Sequence, residues 1–195
     1  MEDLEQFISK FGTIDKKILE ELKNCFKPKK LEKDQLFTQE GEYSNKVGFL
    51  QEGIIRAFFT GSGGKEFSKQ FFMAPSMVGA YTSLVSNAPT KINHQALTDC
   101  TLLVASYPRI LELYDRYHSL ERIGRKIAEF YYVEKEQKLI EQAVFDAEKR
   151  YQLLRERFPT LENQIPQYYI ASYLGISPTQ LSRIRKKMVS TSLHM

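Results

Sequence analysis

The sequence predicts an α+β chain: a β-rich segment between helical ends, closing on a module of two short crossing helices. Three observations carry this. Between Pro28 and Ser106, short β-prone runs alternate with turn residues. From Arg109 to Phe158 there is no proline and one glycine, Gly124, among residues that favour helix. The stretch Ile165–Lys187, IPQYYIASYLGISPTQLSRIRKK, places apolar residues where two short crossing helices need a shared core.

Residues 3–26 read as helical. Leu4, Phe7, Ile8 and Phe11 form one apolar face, and Thr13 is placed to cap a second helix carrying Ile18, Leu19 and Leu22. The β-prone runs are LFT at 36–38, VGFLQ at 47–51, IIRAFFT at 54–60, EFSKQFF at 66–72, KINHQAL at 91–97 and TLLVAS at 101–106. Turn-forming stretches such as EGEYSN, SNAPT and TDC separate them, and GSGG at 61–64 has the composition of a hairpin tip. Many short strands at this spacing predict an antiparallel sandwich or barrel. Pro108 ends the strand region. Leu120, Ile123, Ile127, Phe130 and Val133 then recur at three-four spacing, so that helix must be covered by its own sheet or by a partner helix. Gln137 and Glu141 weaken the seam farther on. A further helix carries Tyr151, Leu153, Leu154 and Phe158, and stops at Pro159.

In the last module Ile170, Leu174, Ile176, Leu181 and Ile184 supply the core, and Ala171 is small where the helices approach most closely. Gly175 suits a left-handed helix end. Ser177 can cap the second helix, and Pro178 fits its first turn, where no backbone donor is required. The charge distribution agrees. The chain has 28 basic and 24 acidic residues, and no acid follows Glu162. Four cations do follow it: Arg183, Arg185, Lys186 and Lys187. Residues 1–162 therefore carry no net charge, and the whole excess of +4 lies on or just beyond one predicted helix. Cations so placed release counterions from a nucleic-acid backbone. The competing reading is a helical bundle whose basic helix end complements its dipole.

Composition excludes several classes. At 195 residues with 42% hydrophobic and 27% charged residues, the chain can bury a core and has no apolar run of membrane-spanning length. The segment MEDLEQFISKFG has early acids and no long apolar core, unlike a secretory signal, so a cytoplasmic location is expected. Cys25 and Cys100 cannot form a four-cysteine metal or iron–sulfur site and read as small buried hydrophobes. His94, His118 and His194 lie far apart, without an HExxH pair. GSGGKE lacks the upstream glycine and the Lys-Ser/Thr step of a phosphate loop. No catalytic residues, metal ligands or cofactor site are assigned, so the chain is not expected to be an enzyme.

The order of β module, long helix and helix-turn-helix resembles the bacterial Crp/Fnr transcription regulators. GEYSNKVGFLQEGIIRAFF (Gly41–Phe59) is similar to the strand-turn-strand stretch of their sensor barrel, with Gly41 opening one turn and Gly53 closing the hairpin. HQALTDCTLLVAS (His94–Ser106) resembles its last strands, and IASYLGISPTQLSRIRKK the C-terminal module. The resemblance implies an N-terminal jelly-roll barrel of the cyclic nucleotide-binding type over residues 1–117, a dimerisation helix over 118–145 and a DNA-binding domain over 146–195. It also implies a homodimer joined along Leu120, Ile123, Ile127, Phe130 and Val133. Double-stranded DNA and a second copy are the partners, RNA polymerase is admitted as a third, and no membrane is involved.

The departure from the family is informative. Nucleotide-binding members carry Gly-Glu near the start of a phosphate-binding cassette and Arg-Ser/Thr-Ala about ten residues later. Here Gly79 matches, Ala80 replaces the Glu that holds the ribose, and Thr90, Lys91 and Ile92 replace the Arg triplet. An alanine cannot accept the ribose hydrogen bond, and Lys91 lacks the fork of an arginine. The segment marked by Gly79, Ala80, Tyr81, Thr90 and Lys91 is therefore expected to take another small molecule or none. For DNA, Arg183 is the first candidate for a base contact, Gln180 for adenine and Thr179 for a thymine methyl, with Ser177 and Pro178 beside them. Gln167, Ser182, Arg185, Lys186 and Lys187 are candidates for phosphate contacts. The alternative is a sensor or adaptor that binds a small molecule or protein without reading sequence.

Overall fold

The computed structural model describes residues 1–192, so His194 lies outside the described residues. Two helices open the chain, α1 (Glu2–Ser9) and α2 (Lys16–Asn24). Asp15, not Thr13, caps α2: the Lys17 amide donates to its carboxylate at 2.7 Å. A carboxylate oxygen two residues nearer the helix takes that position.

Eight strands follow: β1 (Phe26–Leu31), β2 (Leu36–Thr38), β3 (Lys46–Glu52), β4 (Ile54–Thr60), β5 (Glu66–Met73), β6 (Ser76–Val78), β7 (Asn93–Ala96) and β8 (Cys100–Ser106). They form two four-stranded antiparallel sheets, ordered β1-β8-β3-β6 and β2-β7-β4-β5. The sequence did not mark β1, β6 or the short helix α3 (Tyr81–Ser86). In β1 four exposed residues, Lys27-Pro28-Lys29-Lys30, mask the pattern. Pro28 is tolerated because β1 is an edge strand.

The inner faces of both sheets enclose Leu31, Phe37, Leu50, Ile55, Ala57, Phe72, Ala96 and Leu102. Neither outer face is left to water. The first sheet's outer face, with Phe49, Leu103 and Ala105, is covered by α1, α2, α4 (Tyr107–Arg116) and the start of α5 (His118–Val144). The second sheet's outer face, with Ile54 and Phe71, is covered by α6 (Ala147–Arg157), α7 (Gln167–Leu174) and α8 (Pro178–Ser192). Strands buried on both faces read as continuous apolar runs, which is why VGFLQ, IIRAFF and TLLVAS show no clean alternation. Within α5, Gly124 makes room for a neighbour. A Cβ there would lie 2.2 Å from the Tyr114 hydroxyl of α4. No described helix is long and apolar enough to cross a membrane, and no described group of His, Cys, Asp or Glu could hold a metal.

His94 sits inside the barrel opposite Thr38 and Ala57, 3% exposed and 5.8 Å from the Phe72 ring. Burial, with Lys69 nearby, pushes its imidazole down to about 3. The unfolded chain takes up that proton near pH 6.5, the folded one only near 3. Stability therefore falls as pH drops through that window, by up to about 1.4 kcal/mol per unit from this group. His94→Phe is expected to remove that component from denaturant unfolding measured between pH 7 and 4. Parallel profiles for the two proteins would rule out a buried neutral His94.

Candidate nucleic-acid interface

Helix α7 ends where Gly175 takes φ +69. The Ile176 amide then returns to the Ala171 carbonyl at 3.0 Å, closing the helix end by the bond a left-handed residue permits. Two residues on, the Gln180 amide donates to the Ser177 hydroxyl at 3.1 Å, and α8 begins at Pro178. Ala171 and Leu181 are 1% exposed and Ile170 is fully buried. With Leu174 and Ile184 they make the shared core that the spacing demands.

That core decides which side of α8 is outward. Leu181 and Ile184 are anchored, so Ser177, Pro178, Thr179, Gln180, Ser182, Arg183, Lys186 and Lys187 are exposed, with Arg185 half-buried. Lys187 is engaged by Glu148 at 2.6 Å, which raises its pKa. Gln167 is placed differently from the expectation. Its amide nitrogen donates to the Glu162 carbonyl at 3.1 Å, so that donor is already used within the chain. Behind the module, Tyr151 donates to Glu162, and burial raises the phenol to about 12.

The long helix also divides. Leu120 and Ile123 are 2% and 4% exposed and belong to the chain's own core, with Ile127 packed against it. Leu120 and Ile123 cannot form a surface for a second chain, a correction to the expected seam. Phe130 and Val133 are exposed, and so are Ile140 and Val144 beyond them. The exposed apolar stripe therefore lies in the second half of α5. The first half is taken up by the cluster it forms with α1, α2 and α4.

In the cassette segment, Ala80 is buried at the start of α3 and Tyr81 is 56% exposed. Thr90 turns its hydroxyl onto Ile92, accepting from the Ile92 amide at 3.1 Å. Its backbone is tied to the β2–β3 turn through Gly41 and Glu42. Lys91 is exposed. From α5, the Tyr131 hydroxyl accepts from the Met77 amide at 2.9 Å, joining helix and β6 directly.

Residues 28–117 match the cyclic nucleotide-binding domain. Among solved structures, FixK2 from Bradyrhizobium japonicum is similar at 15% identity and TM-score 0.75, covering 86% of each chain. The c-di-GMP responsive global regulator CLP of Xanthomonas campestris matches at 16% and 0.68, over 92% of this chain and 94% of that one. The Thermus thermophilus catabolite activator protein matches at 18% and 0.54, over 93% and 87%. No curated protein matches the chain by sequence. Residues 28–117 are thus similar to the cyclic nucleotide-binding domain, and the chain shares the fold of these solved regulators.

Within residues 28–117 the barrel is present, and the segment from Gly79 to Lys91 departs from the cassette pattern that the resemblance implies. Ala80 stands where the ribose-holding Glu is expected, and the Thr90 hydroxyl is spent on a local turn. The residues that sequence reasoning missed lie elsewhere, on the outer face of the second sheet. Arg56 of β4 is 2% exposed and lies against Tyr169 of α7. Ser172 of α7 bonds to β5. Lys138 of α5 lies 3.5 Å from the Tyr173 ring, and burial beside Arg157 and Lys69 lowers it to about 7. The one signal for any of these was a charged residue inside the apolar run IIRAFF.

Proposed function

We propose that this chain is a homodimeric, sequence-specific DNA-binding regulator whose barrel does not respond to cyclic nucleotides. The observation that carries the reading is α8: anchored on one side by Leu181 and Ile184, it presents Thr179, Gln180, Ser182 and Arg183 to solvent. Those residues occupy the early, groove-facing part of such a helix. The Arg183 fork fits guanine O6 and N7, Gln180 fits adenine, and the basic end of the helix lies toward the phosphates.

Dimerisation is supported by the outer stripe of α5. Phe130, Val133, Gln137, Ile140 and Val144 recur at three-four spacing, the period of a two-helix seam. A two-fold axis along that seam would pair two α8 helices, and reading successive major grooves requires them about 34 Å apart. The cassette argues against a cyclic nucleotide because neither the ribose acceptor nor the bidentate phosphate ligand is present.

The test is selection of the full chain on random-sequence duplex DNA at near-physiological salt, without added nucleotide. The expected product is a two-fold symmetric motif with half-sites one turn apart, bound by a species of twice the monomer mass in sedimentation. Recovery of no motif, with and without cyclic AMP, refutes sequence-specific reading. Lys187→Ala should weaken binding on every sequence and lower the salt slope by no more than about one, because Lys187 already holds Glu148. An unchanged slope removes Lys187 from the phosphate contacts.

A further inference from the structure

Strand β5 is the outer strand of the second sheet, so one side of its backbone has no strand partner. Helix α7 supplies one. The Ser172 hydroxyl donates to the Glu66 carbonyl at 3.1 Å and accepts from the Ser68 amide at 2.9 Å. A single side chain thus serves a donor and an acceptor of the sheet edge.

Beside it lies Arg56, 2% exposed. Its guanidinium carbon is 3.9 Å from the Phe58 ring centroid and 4.0 Å from that of Tyr169, so the cation is stacked between the barrel and α7. The edge of the guanidinium donates to Gln95 at 2.9 and 2.7 Å and to the Glu66 carboxylate. Phe71 meets Tyr173 with ring centroids 5.0 Å apart. The apolar cluster there is continuous, running from Ile54, Phe71 and Leu97 of the barrel to Ile170, Leu174 and Leu181 of the module.

A buried cation is tolerated only where its faces and donors are satisfied. Lifting α7 away would uncover one face of Arg56, orphan two backbone groups of β5 and expose apolar surface on both sides. Packed cores of this kind have discrete arrangements rather than graded ones. In the docked arrangement the reading residues of α8 and the outer stripe of α5 both face solvent.

We propose that the barrel acts as a clamp. Arg56, Tyr169 and Ser172 hold the α7–α8 module in a single pose, the one that reads DNA, and no effector is needed to reach it. The proposal rests on the reading above for what the pose does, but not for whether the pose is held. Arg56, Tyr169 and Ser172 are positioning residues: they orient α8 and touch no DNA.

The experiment is amide hydrogen exchange at Ser68 in the full chain without DNA, since Ser172 holds that amide among the described residues. Docking above 99% of the time slows its exchange at least about 100-fold relative to a free edge amide. That protection is expected, unchanged by 1 mM cyclic AMP, and lost in Ser172→Ala. Exchange of Ser68 at the rate of a free amide, or protection that appears only with cyclic AMP, overturns the clamp.

Tyr169→Leu combined with Ser172→Ala then tests the pose. It should weaken binding to a full two-half-site operator at least about 10-fold while leaving binding to an isolated half-site within about 2-fold, because only the full site requires two modules at a fixed separation. Equal loss on both sites means a damaged module, and full-site binding as tight as wild type or tighter means the docked pose is not the reading pose; either overturns the assignment of these residues. Single Ser172→Ala, a minimal change, guards against a double variant that fails to fold. If the wild-type chain protects Ser68 but selects no DNA sequence, the function above fails while the clamp stands.

Discussion

Gly53→Ala should destabilise the protein by about 3 kcal/mol and lower its melting temperature by roughly 6–12 °C. Two costs combine. Gly53 closes the hairpin between β3 and β4 with φ +94, a conformation that costs an ordinary residue about 1–2 kcal/mol. Its Cβ would also stand 2.4 Å from the Asp99 carbonyl oxygen and 2.6 Å from the Cys100 sulfur. Backbone cannot swing aside as a side-chain tip can, so the β7–β8 turn would have to move. Asp99 also accepts from the Lys33 amide at 2.9 Å, which ties that turn to the end of β1. Gly63→Ala supplies the control. It has φ +85 and nothing within 4 Å of a Cβ, so it should show the conformational cost alone, about 1 kcal/mol. Equal melting temperatures for the two variants would refute the steric half of the argument.

Arg183→Ala should cost about 1–3 kcal/mol on the selected operator, roughly 5- to 150-fold in Kd, and relax preference at one base pair in each half-site. The side chain is exposed on the outward side of α8, one residue before the buried Ile184, so its loss leaves the module's core intact. Thermal melting should move by less than about 0.5 kcal/mol equivalent, which separates lost reading from lost folding. Affinity for random duplex should fall far less than affinity for the operator. Equal losses on both would reassign Arg183 to phosphate contact.

The candidate interface was legible because its signals are local. Gly175 must leave the helix, Ser177 must cap the next one, and the spacing from Ile170 to Ile184 sets which residues are inside; each requirement involves neighbours within a few positions. Most strands were legible for the same reason. Strand β1 was not, since four exposed residues interrupt its pattern and only its pairing with β8 makes it a strand. What covers the apolar face of α5 was not legible. Three-four spacing marks an apolar face on α5 but does not say what covers it. Leu120 and Ile123 are buried in the cluster formed with α1, α2 and α4, while Phe130 and Val133 stay exposed.

By itself the sequence determined the α+β order, the two turns that define the C-terminal module, the concentration of positive charge on α8 and the alanine at position 80. The tertiary structure alone decided that the module lies on the barrel, with Arg56 stacked under Tyr169 and Ser172 bonded to the β5 edge. The reason is range. Periodicity reports that Ile54 and Phe71 are buried, but their partners in α7 lie about a hundred residues away, and only the folded chain brings the two surfaces together.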